Sequence, residues 1–223
     1  MTTLDTLKAR IADDIARSDV TSPIADAITD AINHYKGERF YFNESRTATF
    51  ATVADQETYT SSDDADIPLY IDLDGVWVED STNNYKLRQY DIVEMEDLIP
   101  VSGATSGRPY AFSYFNQSFR LYPVPDQAYT VRPVGHLEVA APATGSEADN
   151  VWMTEAFELL RCRAKAYLAV HILRDPEMLI LMRGADAAVE PPGGAEGAAL
   201  AQLRRGTAKR FRSGDGRIQP TDF

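Results

Sequence analysis

The stretch FRLYPVPDQAYTV, residues 119–131, decides how the chain is read. An aromatic run, Phe119 to Tyr122, meets Pro123-Val124-Pro125-Asp126, and the chain leaves as a second aromatic run from Tyr129 to Val131. Each proline fixes φ and lacks the N–H that a strand ladder uses, so the first strand must end there. The pattern predicts a β-hairpin with a stiff corner. Tyr122 and Tyr129 pair an apolar ring with a polar tip, which suits an interface. The corner residues Tyr122, Pro123, Pro125, Asp126 and Tyr129 are therefore expected to present an interface surface.

Working outward, the period of two continues upstream. Thr47 to Val53 alternates small, threonine and apolar positions; Leu69, Ile71 and Leu73 alternate with Tyr70 and Asp72; Gly75 opens Val76-Trp77-Val78. Tyr110, Phe112 and Tyr114 alternate with Ala111 and Ser113, and Asn116-Gln117 reads as the turn before Phe119 and Leu121. These are strand and hairpin signals, and they make 47–139 a β-rich unit. Asp91 to Leu98 fits a short helix or a strand equally.

Both flanks switch to helical spacing. Leu4, Leu7, Ile11 and Ile15 form one stripe; Ile24, Ala27, Ile28, Ala31, Ile32 and Tyr35 form another, with Ser22 as cap, Pro23 at the first helical position and Gly37 as stop. They predict an antiparallel helix pair over 1–46. After the polar linker 140–149, Val151 to Leu173 is apolar on most sides, which marks a buried spine. Asp175-Pro176 starts another helix that Pro191-Pro192-Gly193-Gly194 stops, and Ala195 to Phe211 is an Ala-rich helix. Residues 140–211 thus complete a helical body, and 212–223 read as an extended tail. Helices, then strands, then helices argue for an α+β fold: a helix pair, a central antiparallel β-rich unit, C-terminal helices and a tail.

Charge is uneven. Residues 1–160 carry 27 acidic and 11 basic side chains; residues 161–223 carry 7 and 11, within a total net charge of −12. An acidic surface repels phosphate, so broad nucleic-acid binding is not expected. Arg204, Arg205, Lys209, Arg210, Arg212 and Arg217 crowd the C-terminal end, followed by Ile218, Gln219, Pro220 and Phe223. Basic residues suit the end of a helix dipole. Apolar groups on a tail without a local core also suit a docking peptide. The single Cys162 excludes an intrachain disulfide, no secretory leader opens the sequence, and a reducing compartment is expected. No apolar run is long enough to span a membrane, so none is expected as a partner.

The search for chemistry yields little. His34, His136 and His171 have no Ser, Cys or carboxylate at a telling spacing, and structural roles are expected. Cys162 lies between Arg161 and Arg163, but adjacent helical residues point apart, so a small core residue is the better reading. The cluster Asp63 to Asp74 contains an Asp-x-Asp-Gly fragment like a calcium loop but lacks the full spacing and closing glutamate, so a solvated acidic edge is favoured. No phosphate loop is present. No catalytic residue, metal or cofactor is expected.

Gly107 to Val131 resembles the head-to-tail adaptor, or connector, proteins of short-tailed and related tailed bacteriophages. The shared pattern is a Gly107-Arg108-Pro109 turn, an aromatic hairpin, Leu121-Tyr122-Pro123-x-Pro125-Asp126 and a return strand with Tyr129. ERFYFNES at 38–45, the helix 152–175 and GRIQPTDF at 216–223 extend the likeness, whereas the 191–194 break departs from it. The resemblance implies a non-enzymatic virion protein at the head-tail junction, made in the bacterial host cytoplasm. It would form a homo-oligomeric, typically dodecameric ring under the portal protein, against a tail nozzle or tail-tube protein. Genomic DNA would pass through the channel without sequence-specific binding. The tail residues Arg210, Arg212, Arg217, Ile218, Gln219, Pro220 and Phe223 would dock on the portal. Two rival readings are a tail-tube or nozzle ring component, and a metal-dependent enzyme using Asp63–Asp74.

Overall fold

The structure, a computed structural model, describes residues 2–99, 105–185, 188 and 190–212, without the side chains of 209–212. In chain order the elements are α1 (Leu4–Asp14), α2 (Thr21–Tyr35), β1 (Glu44–Ser45), β2 (Phe50–Ala51), β3 (Thr58–Tyr59), β4 (Tyr70–Glu79), β5 (Asn84–Lys86), β6 (Arg88–Gln89) and α3 (Ile92–Leu98). They continue with β7 (Ala111–Phe115), β8 (Ser118–Tyr122), β9 (Thr130–Leu137), α4 (Val151–Glu155), α5 (Phe157–Leu168), α6 (Pro176–Arg183) and α7 (Gly194–Arg212). The fold is α+β, as the sequence predicts. The chain divides into a helical unit, Met1–Phe42 with Val139–Phe223, and a β-rich unit, Asn43–Glu138.

In the helical unit α5 packs against α1, α2, α6 and α7. Leu7, Ile11, Ile24, Ile28 and Tyr35 from the first two helices meet Trp152, Met153, Phe157 and Leu160 in one buried cluster, joined by Leu200 and Leu203 of α7. Trp152 is fully buried. Its indole N–H donates to the Val139 carbonyl at 3.1 Å, and its ring meets Phe40 and Phe42 edge-on at 6.4 and 5.5 Å. That satisfied N–H lets a large polar-tipped ring sit in the core.

Several helix boundaries differ from expectation. The spine is three pieces, α4, α5 and a π turn at Ala169–Leu173, with a break at Ala156. The second helix starts at Thr21, without a side-chain cap; Pro23 still sits in its first turn, where a missing N–H costs nothing. The helix opened by Asp175 and Pro176 does begin there, Asp175 accepting from the Met178 N–H at 3.0 Å. It ends at Gly184, φ 91°, well before the prolines.

The β-rich unit holds two sheets. One has the order β1-β9-β4-β5 with β2 also on β9; the other has the order β3-β8-β7-β6. Phe50, Tyr59, Tyr70, Val76, Val78, Phe112, Phe119, Leu121, Tyr129 and Val131 form one buried cluster. Phe119 is its hub, with ring contacts to Phe50, Tyr70, Phe112 and Tyr114 at 5.6, 6.0, 6.2 and 4.8 Å. On the other side of β7 and β8, Ala111 and Tyr122 pack on Met95 of α3. Asp91 caps α3 in a capping box with Glu94, which resolves that segment as helix.

Three readings of strand detail are corrected. The Thr47–Val53 run pairs only at Phe50 and Ala51. Residues 67–69 form a 3-10 turn, and strand structure starts at Tyr70. The phase there is inverted: Tyr70 is buried while Leu69 and Ile71 are exposed. Two one-residue register shifts of β4 against β9, between Tyr70 and Asp72 and between Leu73 and Gly75, interrupt the alternation before the buried set resumes at Val76 and Val78. Asn116 and Gln117, with φ of 49° and 57°, form the expected two-residue turn between β7 and β8.

Gly135 pairs with Leu73, between the two irregularities. A Cβ there would stand 2.1 Å from the Asp72 carbonyl oxygen and 3.0 Å from Leu73 Cα. Both obstacles are backbone, so the strands must separate to admit it. Gly135→Ala should cost at least about 2 kcal/mol, measurable as a lowered midpoint in urea unfolding.

Candidate functional site

Candidate residues gather at two places, one in each unit. The first is the segment that opened the sequence reading. β8 and β9 do not pair with each other; they belong to different sheets. Residues 123–129 are thus no hairpin corner. They carry the chain from one sheet to the other, and the two prolines end β8 without leaving N–H donors to satisfy.

This crossing is held along its length. The Gly107 N–H donates to the Val124 carbonyl at 2.9 Å, and the Val124 N–H to that of Thr105 at 3.0 Å. The Asp55 N–H donates to Pro125 at 2.9 Å. Thr52, 2% exposed, does most. Its hydroxyl donates to the Gln127 carbonyl at 2.9 Å and accepts from the Tyr129 N–H at 2.8 Å, while its own N–H donates to the Tyr129 carbonyl at 2.8 Å. The Tyr129 hydroxyl donates to Asp126 at 2.7 Å. Tyr122, Pro125 and Tyr129 are buried, Pro123 is half-buried, and Asp126, Gln127 and Ala128 are exposed. Within this chain the two tyrosines belong to the core, and the face offered to solvent is Asp126 to Ala128.

The second place is the base of α7. Gly193 and Gly194 fold the chain back onto the end of α6, with the Gly193 N–H donating to the Arg183 carbonyl at 2.8 Å. Gly194 has φ 57°, and a Cβ on it would stand 2.7 Å from the Leu181 and Met182 carbonyl oxygens. This close approach requires glycine. It carries Glu196, 0% exposed, beneath two arginines. Arg163 Nη1 lies 3.5 Å and Arg183 Nε 3.6 Å from its oxygens, and the Tyr35 hydroxyl donates to it at 2.5 Å. Burial, then the Glu196 carboxylate, push the Tyr35 hydroxyl pKa far up. Glu190 joins from the rim, bound to Arg183 and 3.9 Å from both Arg163 and His34.

Further along α7, Arg204 meets both oxygens of Glu38 at 2.9 Å. Thr207 accepts from the Tyr41 N–H at 3.1 Å. The helix that leads to the basic C-terminal segment is therefore fixed at its start by buried charge and near its end by the 38–41 segment. Arg217, Ile218, Gln219, Pro220 and Phe223 lie outside the described residues, as do the side chains of Lys209, Arg210 and Arg212.

The remaining candidates are spread out. Asp63 accepts from the Thr60 N–H and from Gln56 Nε2, both at 2.7 Å, and Asp64 accepts from the Asp66 N–H at 2.9 Å. These carboxylates cap a turn. Among the described residues no group of three or more His, Cys, Asp or Glu could hold a metal ion. His136 is buried on β9, and His171 lies in the π turn beside Tyr167 at 4.4 Å. Cys162 is buried, and that burial pushes its thiol pKa up. The neighbouring Arg161 is engaged by Asp14 and Arg163 by Glu196, so neither activates it. Nothing in the sequence marked the Glu196 network. A glutamate in a first helical turn ordinarily reads as a dipole partner, and the residues that bury it come from α2, α5 and α6.

A protein-family model described as SU10 adaptor protein matches residues 2–219 of the 223. No curated protein matches the chain.

Two predictions follow from the base of α7. Glu196→Ala leaves both arginines largely buried without this carboxylate and should cost about 3–5 kcal/mol; the rim substitution Glu190→Ala should cost under about 1 kcal/mol. Urea unfolding of the two variants distinguishes them. Burial and then Arg163 hold the His34 pKa below its ordinary 6.5. The unfolded chain therefore takes up the proton first, and stability falls as pH drops through 6.5 toward the lower folded value. His34→Gln should flatten the melting temperature across that window.

Proposed function

The chain belongs to the SU10 adaptor protein family, and from that premise we propose that it is the head-to-tail adaptor of a phage particle, assembled as a ring under the portal. In this reading the ring is dodecameric and the helical unit forms its body. The segment after α7 docks on the portal protein, and the β-rich unit faces a tail nozzle or tail-tube protein. Genomic DNA passes through the centre without sequence-specific contacts.

One observation carries the reading: α7 is anchored at both ends of its described length. A docking peptide needs a fixed launching point, because a tail on a loose helix would lose more freedom on binding. The buried Glu196 network and the Arg204–Glu38 pair supply that point, and the basic residues from Arg205 to Arg217 follow it. Arg210, Arg212, Arg217, Ile218, Gln219, Pro220 and Phe223 are the proposed portal contacts. At the crossing, Asp126 and the half-buried Pro123 are the proposed contacts for a tail component or neighbouring subunit, with Tyr122, Pro125 and Tyr129 holding them in place from within. The strong acidity of residues 1–160 supports a channel that DNA slides past, because like charge prevents phosphate from sticking.

Sedimentation with the phage's purified portal ring tests this. Full-length protein should co-sediment as a ring, and protein truncated after Phe211 should stay in the supernatant. Failure of both to bind would overturn the adaptor reading in favour of a tail-tube or nozzle component. Equal binding of both would overturn the role of the tail.

A further inference from the structure

The β-rich unit has a charge pattern that portal docking does not use. Residues 47–85 contain nine carboxylates and no lysine or arginine; Lys86 and Arg88 follow at once. The fold places five of the nine carboxylates and Arg88 at opposite edges of one sheet, while Asp72, Asp74, Glu79 and Asp80 lie on or just after β4 of the other sheet. Asp55, Glu57, Asp63, Asp64 and Asp66 flank β3, one end strand of β3-β8-β7-β6. Arg88 is on β6, the other end strand, and Lys86 closes β5, the end strand of the second sheet. Across four strands the edges stand about 14 Å apart.

The basic edge is built for contact. Lys86 lies over the Trp77 ring at 5.4 Å, Arg88 over Tyr90 at 4.9 Å and Arg108 over Tyr85 at 3.6 Å. All three cations are exposed and all three rings half-buried. Arg108 also lies in the field of Asp80, and by contrast with Lys86 and Arg88 the unit's Arg120 is engaged by Glu57 and Glu96, and Arg132 by Glu79. A cation resting on a ring is held in place yet keeps its charge available to an acidic partner. Aromatic rings with arginine are also the composition of interface anchors. Beside them opens a groove of about 430 Å³ lined by Asp74, Lys86, Leu87, Arg88, Gln89 and Phe112.

The acidic edge is preformed too. Its turn is fixed by the Asp63 and Asp64 caps, and Asp63 stays exposed. Little ordering is needed when such a turn meets a partner. Duplex DNA would be drawn to the same cations, but the surrounding carboxylates would repel it.

We propose that the Lys86–Arg88 edge of one copy receives the Asp63–Asp66 turn of a second copy. The contact joins different patches on identical chains, so it repeats from copy to copy, the arrangement that closes a ring. It rests on the adaptor reading for that closure. Because the attraction is between exposed charges, it weakens with salt.

The test uses the full chain in sedimentation velocity at low salt over a concentration series. Wild type is compared with Lys86→Glu/Arg88→Glu, with Asp63→Lys/Asp66→Lys, and with their equimolar mixture. Matched melting temperatures exclude misfolding, and Asp63→Asn keeps the turn's cap for a milder loss of the same sign. Wild type should associate, and each double variant alone should associate at least about tenfold more weakly. The mixture should recover, because every contact then joins opposite charges. Association unchanged in the double variants, or no recovery on mixing, would overturn the edge contact while leaving portal binding to be judged by its own assay. Wild type that stays monomeric throughout would overturn it as well. So would loss of duplex DNA binding, in a fluorescence anisotropy assay, by a Lys86→Glu/Arg88→Glu variant that still associates normally.

Discussion

The β-rich unit depends on the grip of Thr52 on the crossing between its sheets. β9 pairs with β1, β2 and β4, so most of one sheet is assembled on a single strand. That strand is delivered by residues 123–129, and the Thr52 hydroxyl and N–H fix the last of them through Gln127 and Tyr129. Both groups are buried, where an unsatisfied donor or acceptor costs the full desolvation penalty. The prolines upstream complement this by removing two donors from a stretch that has no ladder to join. Tyr129 then enters the same cluster as Phe119, so the crossing ties together the two sheets it connects.

The helical unit solves a related problem with charge. A fully buried carboxylate is expensive, and Glu196 is tolerated because two guanidinium groups and a phenol surround it. Its partners Tyr35, Arg163 and Arg183 come from three different helices, α2, α5 and α6. The start of α7 is thereby tied to all three.

Much of this was legible in sequence, and the failures have physical causes. Periods of two and near four located both kinds of structure, because they reflect which faces are buried. The Asp175-Pro176 cap and the Asn116-Gln117 turn were readable because their chemistry is local. Strand partners were not. Neighbouring runs suggest a hairpin, and only the packing of Phe119 against both sheets sends β8 and β9 to different ones. The inverted phase of Tyr70 and Ile71 was hidden because it arises from irregular pairing with β9, a strand some sixty residues away. At the sites the limit is similar. Tyr122 and Tyr129 stood out by type, but whether a tyrosine faces a partner or a core depends on elements far along the chain. Glu196 carried no mark at all, since Tyr35, Arg163 and Arg183 meet it only after folding.

The pairing of β1 with β9 also bears on how such a chain could be rebuilt. Glu44 stands opposite His136, and the Leu137 N–H donates to the Asn43 carbonyl at 2.9 Å. The two ends of the β-rich unit thus leave it side by side, about 5 Å apart. From the helical unit's side, the whole insertion spans no more than a tight loop would. A short bridge of about three residues could stand in its place, and a differently shaped module with equally close ends could be grafted there.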